Sequence, residues 1–181
     1  MKKFFLSGML VFASVILFAQ KKITTSAVIA FDASTAIDNL PKAENKTAIA
    51  ALDTKTGSVQ IEASVKNFAF ANPRIQEHFN NASWMNSDAF PKFTFNGKID
   101  DLSKINFSKD GSYAISVTGD LTIKDVSKPL TVPGTIVIKE GIISAGAEFS
   151  IKLADYNMSG GSFDSGKVSK EPKITVTAEL K

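Results

Sequence analysis

Apolar and polar residues alternate with a period of two along nearly the whole chain beyond residue 20. A chain so patterned builds a sheet with one buried face. Ile23, Thr25, Ala27, Ile29 and Phe31 share one side of the first run. Ala48, Ala50 and Leu52 lead into Asp53-Thr54-Lys55-Thr56-Gly57, a hairpin loop whose glycine supplies a positive φ. Val59, Ile61, Ala63 and Val65 follow; Asn67 then breaks the phase, and Phe68 and Phe70 resume it one residue out of step. A slip of one residue reverses which face is buried, so a bulge or bend is predicted at Lys66-Asn67. Later runs are Phe93 to Ile99, Tyr113 to Ile123, Leu130 to Ile138, Ala145 to Leu153 and Ile174 to Leu180. Turns are predicted at Asp125–Lys128 and at Glu140-Gly141, with a short strand near Ile105–Phe107 and a Ser/Gly-rich loop over Tyr156–Lys170.

One segment changes period. Asn72 suits a helix N-cap and Pro73 the first helical position. Ile75, Phe79, Ala82 and Met85 follow at helical spacing, which predicts one short helix that ends before Phe90-Pro91 and covers one end of the sheet. About eight strands joined by short turns give an all-β, antiparallel fold with one inserted helix. A closed barrel removes the exposed edges that a flat meander would leave, and a sandwich is the alternative.

The first residues follow a different rule. Lys2 and Lys3 precede an uncharged apolar run from Phe4 to Phe18, and Ala19 is small. This is the layout of a cleaved secretory signal. Residues 1–19 are therefore expected to be removed, leaving 20–181 as one periplasmic or secreted domain with no transmembrane anchor. Composition then excludes several chemistries. The formal charge of +3 falls to +1 once Lys2 and Lys3 are set aside, and the remaining lysines are interspersed with Asp and Glu. That is no footprint for nucleic acid. The absence of cysteine removes disulfides and thiolate sites, and the lone histidine, His78, is a weak start for a metal centre. No G-x-S-x-G elbow occurs. No metal, cofactor or catalytic residue is assigned.

The inward set is rich in large rings, and small residues such as Ala63, Gly97, Gly119, Gly134 and Ala147 interrupt the same faces. An eight-stranded barrel is just wide enough to be filled by its side chains or to hold one small ligand. The pattern fits either a packed core or a lipophilic tunnel. If a tunnel exists, Phe31, Phe70, Phe79, Phe93, Phe95, Tyr113, Ile115 and Phe149 are the candidate lining, and Gly119 and Ala147 are expected to open onto it.

Three segments carry a resemblance. Ala82-Ser83-Trp84-Met85-Asn86-Ser87-Asp88-Ala89-Phe90-Pro91-Lys92-Phe93-Thr94-Phe95 resembles the centre of the YceI-like family, where a helix ends and an F-P-x-F-x-F strand begins. Val117 to Leu130 is similar to that family's G-x-L-T-I-x-G-V-T-K-P hairpin, with Asp125 where many members have glycine. Phe149-Ser150-Ile151-Lys152-Leu153-Ala154-Asp155-Tyr156 resembles its late F-x-I-x-L-x-D-[YF] strand. The resemblance implies a lipocalin-like barrel, outside the cytoplasm, that holds a polyisoprenoid, quinone or fatty-acid-like amphiphile without catalysis, for transport, storage or sequestration. The Arg-Asp pair that many longer members carry ahead of the helix has no match at Pro73-Arg74-Ile75. A non-catalytic interaction or structural module with a packed core is the alternative reading.

Overall fold

The computed structural model describes residues 20–181; the expected signal, residues 1–19, lies outside them. Eight long strands, β1 (Lys21–Asp32), β2 (Lys42–Asp53), β3 (Ser58–Ser64), β5 (Lys92–Ile99), β6 (Gly111–Ile123), β7 (Val126–Lys139), β8 (Ile142–Ser150) and β9 (Lys173–Leu180), are joined by a two-residue β4 (Ala69–Phe70). Each long strand pairs antiparallel with the next, β5 following β3 directly, and β1 pairs with both β2 and β9. The sheet therefore closes into a barrel; the sandwich alternative falls away. β4 adds a short flap on β2, with Ala43 opposite Phe70.

Both faces follow the alternation except at the start of β1, where register shifts between Thr24 and Ile29 leave Ile23 and Thr25, placed by the pattern on the side of Ala27, exposed. Ala63, Ile99, Val117, Ile136, Ile143 and Leu180 turn inward and are buried, while their strand neighbours meet solvent. The hairpin turns use the expected residues where a positive φ is needed: Gly57 at 75°, Glu140 at 51° and Gly141 at 79°. At the β6–β7 hairpin the ladder runs to Ile123↔Val126, so the turn is Lys124-Asp125, tighter than the predicted Asp125–Lys128. Lys124 takes the positive φ, 59°, which frees Asp125 from needing glycine.

The predicted bend at Lys66-Asn67 is a 3₁₀ turn over Val65–Asn67. Its anchor is a polar group that alternation did not single out. Asn45, fully buried on β2, donates Nδ2–H to the Ser64 carbonyl, and its Oδ1 accepts from the backbone N–H and hydroxyl of Thr47. Asn67 then donates to the Thr47 hydroxyl at 2.7 Å.

Helix α1 (Pro73–Asn80) starts as predicted, with Asn72 accepting from the Arg74 N–H and Pro73 in the first turn. It stops five residues earlier than the spacing implied. The chain leaves helical geometry at Asn81, and a tight turn tied by Ser87 N–H and Oγ to the Asn80 carbonyl carries Trp84 and Met85 back to the barrel. Ala82, placed by the pattern on the buried stripe, is exposed. Three other elements differ. No strand forms at 105–107; a 3₁₀ turn at Leu102–Lys104 precedes Ile105, which is buried from a loop. The eighth strand ends at Ser150 and Leu153 enters a 3₁₀ turn, Leu153–Tyr156. The Ser/Gly-rich loop contains one helical turn, α2 (Gly161–Asp164), whose Phe163 is buried.

Candidate ligand-binding site

The strand order places three long connections, 33–41, 65–91 and 151–172, at one end of the barrel, with the tight β6–β7 turn. The other end carries the β2–β3 and β7–β8 turns, the 100–110 loop and both termini of the described chain. At the first end α1 forms a cap. Phe79, 3% exposed, lies against Phe70 at 4.9 Å between ring centroids, Trp84 at 5.9 Å, Phe68 at 6.1 Å and Phe31 at 6.4 Å. Trp84 stacks on Phe163 at 5.6 Å, so two of the connections meet there. Lys124 reaches over from the β6–β7 turn, donates to the Trp84 carbonyl at 3.2 Å and sits 5.6 Å from the Phe90 ring centre. Lys66 and Asp88 pair across the same cap. At the opposite end Leu52, Ile99, Ile136 and Leu180 close in, with Leu102 lying over Gly57.

Between the two ends is a cavity of about 200 Å³. Its wall is aliphatic or aromatic throughout except for Thr94, Thr135 and two glycines. Both threonines alternate with inward neighbours, so they meet the cavity through backbone. No ionisable side chain lines it. Asp32, at the cap end of β1, lies outside this wall. Partial burial opposes its ionisation, but hydrogen bonds from Ser34 and the Lys42 ammonium at 3.2 Å hold its carboxyl below the usual carboxylate range. Burial, helped by Asp155, pushes the Tyr156 hydroxyl above its ordinary value. Asn80 Oδ1 is buried without a partner, in the turn behind α1, and Asn80 is not among the lining residues. His78 is exposed on α1.

Six of the eight candidate lining residues meet at this cavity: Phe31, Phe79, Phe93, Phe95, Ile115 and Phe149. Two do not. Phe70 lies against Phe79 from the β4 flap, its ring tilted 51° to that of Phe79. Tyr113 is held toward the barrel's far end, where its single hydroxyl hydrogen is shared between the carbonyls of Asn106 and Lys109, each 3.2 Å away. Met85, Met158, Ile151 and Leu153 complete the wall from outside the strands; the period-two run reached Ile151 and Leu153 and the helical spacing reached Met85, whereas Met158 carried no periodic signal. Gly119 does not open onto the space as expected. A Cβ there would stand 2.4 Å from the Asn96 oxygen and Gly97 Cα, because β5 and β6 approach each other backbone to backbone. Phe95 lays its ring over the facing Gly97, whose Cβ would be 2.7 Å from it.

A closed, eight-stranded antiparallel barrel with a capping helix and an unbroken apolar cavity defines the lipocalin-like class of fold. The chain belongs to the YceI-like family: the profile of the YceI-like domain matches residues 16–180. Protein YceI of Shigella flexneri and that of Escherichia coli O157:H7 are each 30% identical over 109 residues. Those residues are 57% of this chain and 51% of either relative, so the chain spans about half the length of the curated relatives it matches. Among solved structures, a polyisoprenoid binding domain from Saccharophagus degradans, implicated in plant cell wall breakdown, aligns over 90% of this chain and 98% of its own, with a TM-score of 0.75 and 12% identity. BcnA of Burkholderia cenocepacia aligns over 86% and 96%, with a TM-score of 0.68 and 20% identity. At these identities the likeness is one of fold.

Proposed function

We propose that the protein is a non-catalytic lipid carrier, exported from the cytoplasm, that holds a polyisoprenoid or similar apolar amphiphile inside its barrel for transport, storage or sequestration. The carrying observation is the cavity itself. Native cores are close-packed, with few voids larger than a water molecule, and about 200 Å³ of purely apolar space is far above that. An engineered apolar cavity of about 150 Å³ stays dry and accepts a benzene-sized guest. The resting space thus takes one short stretch of chain or a single ring, and a longer tail is admitted as Met85, Met158 and the phenyl rings at the cap change rotamer. Each buried CH₂ contributes about 0.8 kcal/mol. Eight to ten carbons give roughly 6–8 kcal/mol before the costs of association, the micromolar range. That the Saccharophagus neighbour is a polyisoprenoid binding domain supports the same ligand class.

The test is displacement of an apolar fluorophore by single-chain lipids, run on the wild type and on Ala147→Phe. Ala147 lines the cavity, so the added ring occupies the guest's place. Uptake should fall at least about tenfold, while thermal stability changes by less than about 1 kcal/mol because the ring fills existing space. Absence of uptake by the wild type, with strong destabilisation by Ala147→Phe, would instead establish the packed interaction module. Export has its own readout. Sequencing the N-terminus of the protein from its native envelope should begin near Gln20 or Lys21, and a membrane-embedded product starting at Met1 would contradict the leader.

A further inference from the structure

The ladder between β7 and β8 runs only from Gly134↔Ala147 to Lys139↔Ile142, although β7 begins at Val126 and β8 continues to Ser150. On the cap side of Gly134 the barrel wall is split. The facing edge of β7 is adapted to be unpaired. The Ser116 carbonyl accepts from the Asp100 N–H at 2.9 Å, so the Ser116 backbone points toward β5. Its cross-strand partner Pro133 therefore directs its own backbone toward β8, and Pro129, four residues away in unbroken register, does the same. Neither has an N–H to leave unsatisfied, as befits an open edge.

At the foot of this split the outer surface carries a groove bordered by Pro133, Thr135, Gly146, Glu148, Thr175 and Thr177. Gly134, Thr135, Gly146, Ala147 and Val176 border both this groove and the inner cavity, so a single thickness of backbone separates the two. An amphiphile's head has no partner inside the barrel, where burying a polar group without a hydrogen bond is unfavourable. One barrel end is blocked by the Phe79 cluster and the other by Leu52, Ile99 and Leu180. The split is where the wall lacks ladder hydrogen bonds, and its foot lies beside hydroxyl groups.

We infer that the ligand is a single-chain amphiphile with an uncharged polar head, its tail in the barrel and its head passing through the β7–β8 split into the outer groove. This rests on the carrier reading. Thr135, Thr175 and Thr177 offer hydroxyls that both donate and accept, which suits an alcohol or a carbonyl. The Glu148 carboxylate at the groove's edge is already paired with the Lys173 ammonium at 2.9 Å, so it offers no unpaired charge to a charged head.

The experiment uses displacement of N-phenyl-1-naphthylamine by n-decanol, decyl phosphate, decylammonium and headless hexylbenzene. n-Decanol should displace at concentrations at least about tenfold below either charged analogue. A Cβ on Gly146 meets nothing within 4 Å, and its partner Thr135 faces outward, so Gly146→Trp fills the groove from outside. Gly146→Trp should weaken n-decanol at least about tenfold and leave hexylbenzene within about twofold. Thr177→Trp, from the groove's other border, should do the same. Equal effects on n-decanol and hexylbenzene, no effect of either variant, or tighter binding of a charged analogue overturns the inference and leaves the carrier standing. No uptake of any probe by the wild type overturns both.

Discussion

Gly119→Leu should unfold the barrel or bring it close to unfolding, and Gly119→Ala should be nearly as damaging. The obstacle is the first carbon of any side chain: a Cβ at this position lies 2.4 Å from both the Asn96 oxygen and the Gly97 Cα, and 2.9 Å from the Asn96 carbonyl carbon. Overpacking a core costs about 1–3 kcal/mol when side chains can shift. Here the colliding atoms are backbone, held by the ladder Asn96↔Asp120 and Gly97↔Gly119. Relief therefore means parting β5 from β6. The expected loss exceeds about 3 kcal/mol, a large share of the 5–15 kcal/mol that stabilises a typical domain. Urea denaturation measures it, with Gly146→Ala as the internal control. That Cβ meets nothing within 4 Å, and the midpoint should move by less than about 0.5 kcal/mol equivalent. A Gly119→Ala protein that melts with the wild type would disprove the close approach.

The second large effect is at the cap. Phe79→Ala removes a ring that is 3% exposed and touches four other aromatic rings. Truncating a buried phenylalanine costs about 3–5 kcal/mol, or roughly 10 °C in midpoint for a domain of this size. Because Phe79 also lines the cavity, the space it vacates is continuous with the ligand's. The variant should be less stable yet accept longer tails than the wild type in the displacement assay. A stability loss below about 1 kcal/mol would mean that α1 rests loosely on the barrel and serves as a mobile lid.

Strands β5 to β9 were legible because each keeps a single phase, and phase alone identified Phe31, Phe93, Phe95, Ile115 and Phe149 as inward; β1 and β2 change phase where their shared ladder shifts register between Thr24 and Ile29. Phase does not say what lies beside a residue. Tyr113 keeps the period but spends its ring covering the 100–110 loop, since its hydroxyl finds the carbonyls of Asn106 and Lys109 there. Gly119 likewise keeps the period, but a glycine carries no record of how near the next strand passes. The cap was half legible. The Asn72-Pro73 start is a local hydrogen-bonding signal, whereas the stop at Asn80 depends on Ser87 folding back from seven residues away. Alternation did not single out Asn45; its burial makes sense only once the Ser64 carbonyl and Thr47 stand beside it. The β7–β8 split was invisible to alternation, because both strands keep their pattern where their pairing stops.

The closure of the barrel has a consequence for how the chain folds. Of the described strands β1 emerges first during synthesis, and its ladder with β9, Val28↔Thr177 to Asp32↔Lys173, joins the two most distant of them in sequence. Contacts of such long sequence separation form late, because the intervening chain must first be ordered. Until β9 arrives, β1 offers an unpaired edge to any neighbouring chain, the circumstance in which β proteins aggregate. Holding the nascent polypeptide apart from its copies until the last strand docks is thus a requirement that the circular sheet imposes on the cell.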